Sequence, residues 1–311
     1  MRCPTLAELP PPPSGKQGWP WTEETPPLSA AGLGSGRQKG RVGFWPQISI
    51  VTPSYNQGAF LEETIRSVLL QGYPHLEYII IDGGSDDQSL DVIRRYAPWL
   101  AYWVSEPDRG QSHAINKGLA CSTGEILAWL NSDDFYLPGT LGRVAEEFHT
   151  HPELSLLYGD ALFVDAESTP LWPYRGRETT LLEKLEYWKG WHVPQPTTFF
   201  RRDLYLRIGP LEETFHYGLD YEYFLRAALV YPFHYLPATL ATYRRHEMSK
   251  TGEGDTNRAV FHAECRRAVT RHVRPTSLLY WQWRIERILL TVRQRLHPVT
   301  RMVRRLRKAV A

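Results

Sequence analysis

Asn131, Asp133 and Asp134 place three oxygen-rich side chains within four residues, directly after the apolar run Ile126 to Leu130. Hard divalent cations take oxygen ligands. Magnesium or manganese held by one or two carboxylates, with diphosphate oxygens completing its shell, is the usual way to neutralise a nucleoside diphosphate as it leaves. A polar turn ahead of Pro138 accounts for one aspartate but not comfortably for the cluster. A second loop, Thr52-Pro53-Ser54-Tyr55-Asn56-Gln57, contains no glycine, unlike the dinucleotide-binding turn. It offers a ring and hydroxyls, so a flat nucleobase can lie against Tyr55 and Pro53, although an ordinary Pro and Asn turn reads equally well. Asp82, at the end of another apolar run, can accept from the N–H of a uracil-like base or hold a ribose, while Asp86 and Asp87 read as a cap and first-turn acid.

These loops need a scaffold that brings them together. Ile48 to Thr52, Tyr78 to Ile81, Ala101 to Val104 and Ile126 to Leu130 read as short buried strands. Between them, Phe60, Leu61, Ile65, Val68 and Leu69, then Leu90, Ile93 and Ala97, then Ser112 to Cys121 recur at helical spacing. Alternating strands and helices imply an α/β fold, a mainly parallel central sheet with helices on both faces. Ligands of such a sheet gather at the carboxyl ends of its strands, so the loops starting at Thr52, Asp82 and Asn131 should share one crevice. Past the helix of Leu141, Val144, Ala145 and Phe148 and a strand at Leu154 to Tyr158, the pattern turns irregular and aromatic. This half should shape the acceptor side.

The 311 residues, 42% hydrophobic, suffice for a large core. Cys3, Cys121 and Cys265 are odd in number and widely spaced, which excludes a disulfide framework and a Cys-x-x-Cys zinc site and fits a reducing cytoplasm. Residues 1–46, rich in Pro and Gly, read as a mobile leader, residues 47–255 as the catalytic domain (47–135 and 136–255 as its halves), and residues 256–311 as a helical basic tail. No run is apolar enough to span a bilayer. The net charge of +2 conceals an asymmetry: residues 271–311 carry eleven Lys or Arg against Glu286 alone, a net of +10, leaving −8 for residues 1–270.

Three motifs agree in order and spacing: Val51 to Asn56, Ile81 to Asp87, and Asp108-Arg109-Gly110-Gln111-Ser112 through Ala114 to Gly118 and on to Leu130 to Asp134. The segment Gln47 to Asp134 resembles the inverting family-two glycosyltransferases, nucleotide-sugar enzymes with the fold called A. The resemblance implies a nucleotide-sugar donor, UDP-linked by preference, a saccharide or lipid-linked acceptor of the cell envelope, and Mn2+ or Mg2+ as cofactor. The Thr52 to Tyr55 loop, with Asn56, and Asp82 match the base-binding elements. The Asp-x-Asp metal motif falls on Asn131, Ser132 and Asp133, which leaves Asp133 as the better metal ligand and Asp134 to contact the sugar or to stand just behind the metal's own ligands. Arg109 and Asn116 stand where they can reach the donor sugar or diphosphate, whereas Lys117 and His113 read as surface. Asp220, in Gly218-Leu219-Asp220-Tyr221-Glu222, matches the catalytic base, with Leu219 in place of the usual preceding acid and Glu222 as a competitor. Arg244 and His246 can add positive charge at the leaving group. The implied chemistry is a single displacement with inversion, in which Asp220 takes the acceptor proton.

Processive synthases of the same family carry a Gln-x-x-Arg-Trp motif and membrane spans, and neither occurs in this sequence, so a single addition is expected. The other reading is a catalytically silent sugar-nucleotide-binding protein, against which Asp133, Asp134 and Asp220 are retained together. In the tail, Leu279, Tyr280, Trp281, Trp283, Ile285, Ile288, Leu289, Val292 and Leu296 alternate with arginines. That is the pattern of a cationic amphipathic helix lying on an anionic membrane, here at the cytoplasmic face. Packing on the catalytic domain or a homo-oligomer are the rivals, and nucleic acid is a poor partner beside an acidic body.

Overall fold

The computed structural model describes residues 1–29, 45–190, 192–247, 249–250 and 255–292. The alternation read from the sequence is present as β1 (Ile48–Ser54), α1 (Gly58–Leu69), β2 (Leu76–Asp82), α2 (Ser89–Tyr96), β3 (Tyr102–Ser105), α3 (Gln111–Cys121), β4 (Ile126–Trp129) and α4 (Thr140–Thr150). It continues as β5 (Leu156–Val164), β6 (Pro170–Tyr174), α5 (Leu181–Leu185), β7 (Phe199–Arg201), α6 (Arg202–Ile208), α7 (Leu219–Ala228), β8 (His234–Arg244) and α8 (Asp255–His272). One sheet runs β3-β2-β1-β4-β7-β5-β6, with β8 paired to β5. Its first half is parallel, while β7 joins β4 and β5 antiparallel and β6 joins β5 antiparallel.

Period-two alternation along the strands splits the core cleanly. Ile48 and Ile50, Tyr78 and Ile80, and Ile126 and Ala128 face α1, α2 and α4. Val51, Ile79 and Ile81, and Leu127 and Trp129 face α3, α7 and α8. Helix α3 comes unusually close to β1 because Gly118 has no side chain: a Cβ there would stand 2.3 Å from Val51 Cγ1. That approach brings the Asp108 to Gln111 loop beside the end of β1.

Two expectations about the chain's ends are corrected. Residues 1–29 of the expected mobile leader pack on the body, while 30–44 lie outside the described residues. The Met1 amino group donates to the Leu76 carbonyl at 2.8 Å. The buried Arg66 guanidinium donates to the carbonyls of Pro10, Pro20 and Trp21 at 2.9–3.0 Å. A proline-rich segment shows no periodicity because it is held through its carbonyls and by Leu9 and Trp21, not by a repeating face. At the other end, α8, assigned by sequence to the tail, buries Cys265, Ala268 and Val269 in the second core, and Tyr280 and Trp283 follow it there. The packed body therefore extends past residue 255. No helix among the described residues is long and apolar enough to cross a membrane.

Candidate active site

The ends of β1, β2 and β4 open into a cleft of about 1400 Å³ bordered by Pro53, Tyr55, Gly83, Asp108, Asp133 and Asp220. At one end Tyr55 is 63% exposed, an unsupported ring beside Pro53. The neighbouring residues predicted to bind the base have other work. Thr52 is buried, its hydroxyl 3.0 Å from that of Tyr78. Asn56 adopts φ 52°, accepts the Asp86 N–H at 3.0 Å and donates its own N–H to Ser85 Oγ. Asp82 is fully buried and accepts from the N–H of Gly84 and Ser85 and from the hydroxyls of Ser85 and Ser105, at 2.6–3.1 Å. Its carboxylate shapes the turn in which Gly84 takes φ +83° and does not border the cleft. The carboxylate that does is Asp108, held by the Gly110 N–H at 2.6 Å. The sequence displays Asp108 only as part of a motif, and nothing in its spacing distinguishes it from Asp82. Asp87 stands one residue ahead of Gln88, the N-cap of α2, and accepts the N–H groups of Gly58 and Ser89 at 2.8 Å.

The centre of the cleft is the Asn131 to Asp134 loop, anchored from below. Trp129 stacks on Phe224 at 5.4 Å, and Thr64 Oγ1 donates to the carbonyls of Ser132 and Asp134 at 2.9 and 2.7 Å. Asn131 accepts from Gln111 at 2.8 Å and donates to Gln195 at 3.1 Å, which leaves it a bridging residue. Asp133 points its Oδ2 at His246 Nε2, 3.1 Å away. The carboxylate, 20% exposed, borders the cleft, whereas the imidazole, 7% exposed, stands behind it and does not. No cluster of three or more acidic, histidine or cysteine ligands occurs among the described residues. A cation held at Asp133 and His246 would therefore take most of its shell from diphosphate oxygens and water, as magnesium and manganese commonly do.

Asp134 and Arg244 are drawn inward instead. Asp134 accepts the Arg244 N–H at 2.8 Å, and burial together with the adjacent Asp133 pushes its carboxyl well up. The Arg244 guanidinium, 1% exposed, pairs with Glu63 at 2.9 Å and donates to the carbonyls of Asp133, Asp165 and Ala166. It also lies over the Phe60 ring at 4.9 Å. Both residues sit at the cleft's floor, and their hydrogen-bonding groups hold the loop rather than reach out from it. Arg109 and Asn116 are likewise engaged, Arg109 with Glu213 at 2.8 Å and Asn116 with both the carbonyl and the N–H of Leu211. Neither borders the cleft.

At the other end stands Asp220 at the start of α7, half-buried, its Oδ1 accepting the Tyr221 N–H at 2.7 Å. Burial pushes its carboxyl up to about 6, against the pull of that N–H and of Lys250. Glu222, its rival in sequence, is 1% exposed, tied to Arg226 at 2.8 Å and His272 at 2.7 Å, and turned away from the cleft. Two residues beyond the sequence-predicted set complete this end. Glu264 of α8 accepts from the N–H groups of His216, Tyr217 and Gly218 at 2.7–3.1 Å and so fixes the loop that presents Asp220. Lys250 reaches Gln111 at 2.8 Å and the His216 carbonyl at 3.1 Å.

Residues 49–209 match the family profile described as glycosyl transferase family 2. The chain belongs to that family. It is 35% identical over 191 residues to an uncharacterised glycosyltransferase of Mycobacterium tuberculosis, covering 60% of this chain and 70% of the relative. A PGL/p-HBAD biosynthesis glycosyltransferase of Mycobacterium bovis is 29% identical over 185 residues, 58% of this chain and 69% of that one. Among solved structures, S. aureus TarS 1-349 in complex with UDP-GlcNAc superposes with a TM-score of 0.57 at 20% identity, covering 72% of this chain and 66% of that one. A mannosyltransferase from Pyrobaculum calidifontis in complex with GDP-Man and Mn2+ gives 0.52 at 19% identity, with 83% and 84% covered. The chain is thus a glycosyltransferase with the A-type fold that the sequence implied.

Proposed function

We propose that this glycosyltransferase moves a sugar from a nucleoside-diphosphate donor, UDP-linked by preference, to an acceptor hydroxyl in one displacement that inverts the anomeric centre. The observation that carries this reading is that Asp133 and Asp220 border the same cleft, one facing His246 and the other with its carboxyl pushed by burial up to about 6. Tyr55 and Pro53 would support the base, and Asp108 lies where base or ribose would be read. Asp133 and His246 would hold a divalent cation, whose chemistry when bound is to offset charge on the departing diphosphate. Asp220 Oδ accepts the acceptor proton while that oxygen bonds to the anomeric carbon, and the glycosidic bond to the diphosphate breaks with its electron pair. With a carboxyl near 6, Asp220 is ionised at neutral pH and returns the proton to solvent. The nucleotide sugars bound by TarS and the mannosyltransferase, and the Mn2+ of the latter, support donor and metal. A thermal-unfolding panel of UDP- and GDP-sugars with Mn2+ or Mg2+ tests it: at least one donor should raise the transition only with metal, and no shift with any of them would refute the reading.

The acceptor is a saccharide, free or lipid-linked, and the tail gives support for a membrane-borne one. On the helix over residues 278–292, Tyr280 and Trp283 turn into the core, whereas Leu278, Trp281, Ile285, Ile288, Leu289 and Val292 form an exposed stripe at steps of three and four. Arg284 and Arg287 lie over Tyr280 and Trp283 at its border. The further seven Lys or Arg of residues 293–311, and Leu296, lie outside the described residues. An exposed apolar stripe in a +10 segment suits an anionic lipid surface at the cytoplasmic face. Because Trp283 is core, removing the helix would damage the fold. Trp281→Ser with Ile285→Ser and Ile288→Ser is the better test, and it should abolish sedimentation with anionic vesicles while leaving the melting transition in place. Unchanged sedimentation, or loss of a dimer in its stead, would make the stripe a protein interface.

A further inference from the structure

The row of aromatic rings along β6, β5 and β8 belongs to neither core. Phe163 of β5 is in register with Trp172 of β6 on one side and with Tyr243 of β8 on the other, and Tyr174 lies two residues along from Trp172. Their side chains therefore fall on one face of the sheet. Ring centroids are 5.4 Å apart for Phe163 and Trp172, 5.3 Å for Phe163 and Tyr243, and 5.3 Å with an interplanar angle of 10° for Phe163 and Tyr174. None of the four is among the residues of either core or packed against one. Trp172 is 45% exposed with the Arg245 guanidinium 5.5 Å from its ring. Of the four, Trp172 is exposed and Phe163, Tyr174 and Tyr243 are half-buried, and aromatic rings left partly outside a core can offer apolar surface to a ligand.

The row leads to the chemistry. Phe163, Tyr174 and Tyr243 border the same cleft as Asp220, and the sheet order sets β5, β6 and β8 across β4 from β1, whose end carries Pro53 and Tyr55. Burial, and after it the Asp220 charge, hold the Tyr174 hydroxyl above its ordinary range. We propose that Trp172, Phe163, Tyr174 and Tyr243 form the acceptor subsite, a shelf that takes the apolar C–H face of a pyranose ring and brings a hydroxyl of that sugar toward Asp220. This rests on the transferase reading above, because it assigns the opposite end of the cleft to the donor. A pyranose presents C–H groups on its faces and hydroxyls at its rim, so it matches aromatic rings flanked by a cation and a carboxylate. A β-strand partner does not fit: Pro170 and Pro173 remove two N–H donors from edge strand β6. An extended lipid chain is a poorer match, since the shelf is four rings bordered by the Arg245 cation.

Saturation-transfer difference NMR on the full chain with UDP present tests the assignment, using methyl glucopyranosides, galactopyranosides and mannopyranosides of both anomers and octyl glucopyranoside as probes. At least one methyl glycoside should receive saturation on its ring protons, and Trp172→Ala and, separately, Tyr243→Ala should weaken that signal at least fivefold while UDP still raises the melting transition as in the wild type. Trp172 is exposed, so its variant reads the site even where Tyr243→Ala is unstable. Binding of the octyl glycoside alone would make the shelf a lipid contact and overturn the proposal. So would undiminished signals in Trp172→Ala, or loss of the UDP response in that variant, which would place the rings in the donor site. If UDP stabilises the wild type and no methyl glycoside binds, the shelf fails and the donor reading stands; if UDP has no effect, the donor reading itself fails.

Discussion

Replacing Asp220 by Asn should do two opposite things, make the protein more stable and make it inactive. Its carboxyl ordinarily titrates near 3.8 and is pushed by burial up to about 6. Each pH unit of such displacement is about 1.4 kcal/mol, so ionising Asp220 in the folded protein costs at most about 3 kcal/mol. The group is only half-buried, and solvent screening reduces this to about 1–2 kcal/mol. The folded state holds the proton between pH 4 and 6 while the unfolded chain has lost it, so this site's contribution to stability falls as pH rises through that window. Lys250 draws the ionisation down and Glu264 drives it up, while the half-buried Tyr174 and the buried Cys265 both feel the charge. Asp220→Asn removes the penalty. At pH 7.5 its melting temperature should exceed that of the wild type by roughly 3–6 °C, and the difference should vanish near pH 4. Transfer should fall about a hundredfold or more with the donor-induced thermal shift retained, and the wild-type rate should rise through about pH 6. Scanning calorimetry across pH, paired with nucleotide release, reads all three. A variant that is less stable at pH 7.5, or one that keeps its turnover, would refute the assignment of Asp220 as a buried general base.

Glu222→Gln should show the reverse pattern. Arg226 and His272 hold its carboxyl below the ordinary range, so the stability it lends is present above about pH 4.5 and lost on acidification. The variant should lose about 1–3 kcal/mol in urea titration at pH 7.5 and keep its turnover within a few-fold; a dead but fully stable Glu222→Gln would make it the base. Arg244→Met leaves Glu63 buried without its partner, and equilibrium unfolding should show a loss of about 3–5 kcal/mol with only a modest change in nucleotide affinity at low temperature. Wild-type stability with affinity lowered tenfold would mean that Arg244 touches the donor instead.

The parallel half of the fold was legible in the sequence because each strand there is a short apolar run and each helix shows a clear face. Strands β6 and β8 were not, since an edge strand carrying prolines and a long strand with a bulge mix exposed aromatics with buried residues and show no simple period. The N-terminal 29 residues escaped for a related reason: Arg66 holds them through their carbonyls, which every residue has. At the site, motif position located the cleft, with Asp133, Asp220, Tyr55 and Pro53 bordering it. It could not separate a carboxylate that borders the cleft from one that satisfies backbone N–H groups two and three residues away, which is how Asp108 stands at the cleft where Asp82 was expected. Arg244 and Asn116 illustrate the same limit, for a polar side chain at a strand end or helix start reads alike whether it holds a loop or a substrate. Glu264 lay out of reach altogether, because only tertiary packing brings α8 beneath the Asp220 loop.

The central claim, that this cleft turns over a nucleotide sugar with a divalent cation at Asp133, is tested most directly by nucleotide release from a panel of UDP- and GDP-sugars. Wild type and Asp133→Ala would be compared, each with Mn2+ and after chelation. Asp133 is a partly exposed loop residue, so its removal should leave the melting transition within about 1 °C. The wild type with Mn2+ should release nucleotide from at least one donor, and at least a hundredfold less after chelation or in Asp133→Ala. Equal release with and without metal, or full activity in Asp133→Ala, would contradict it.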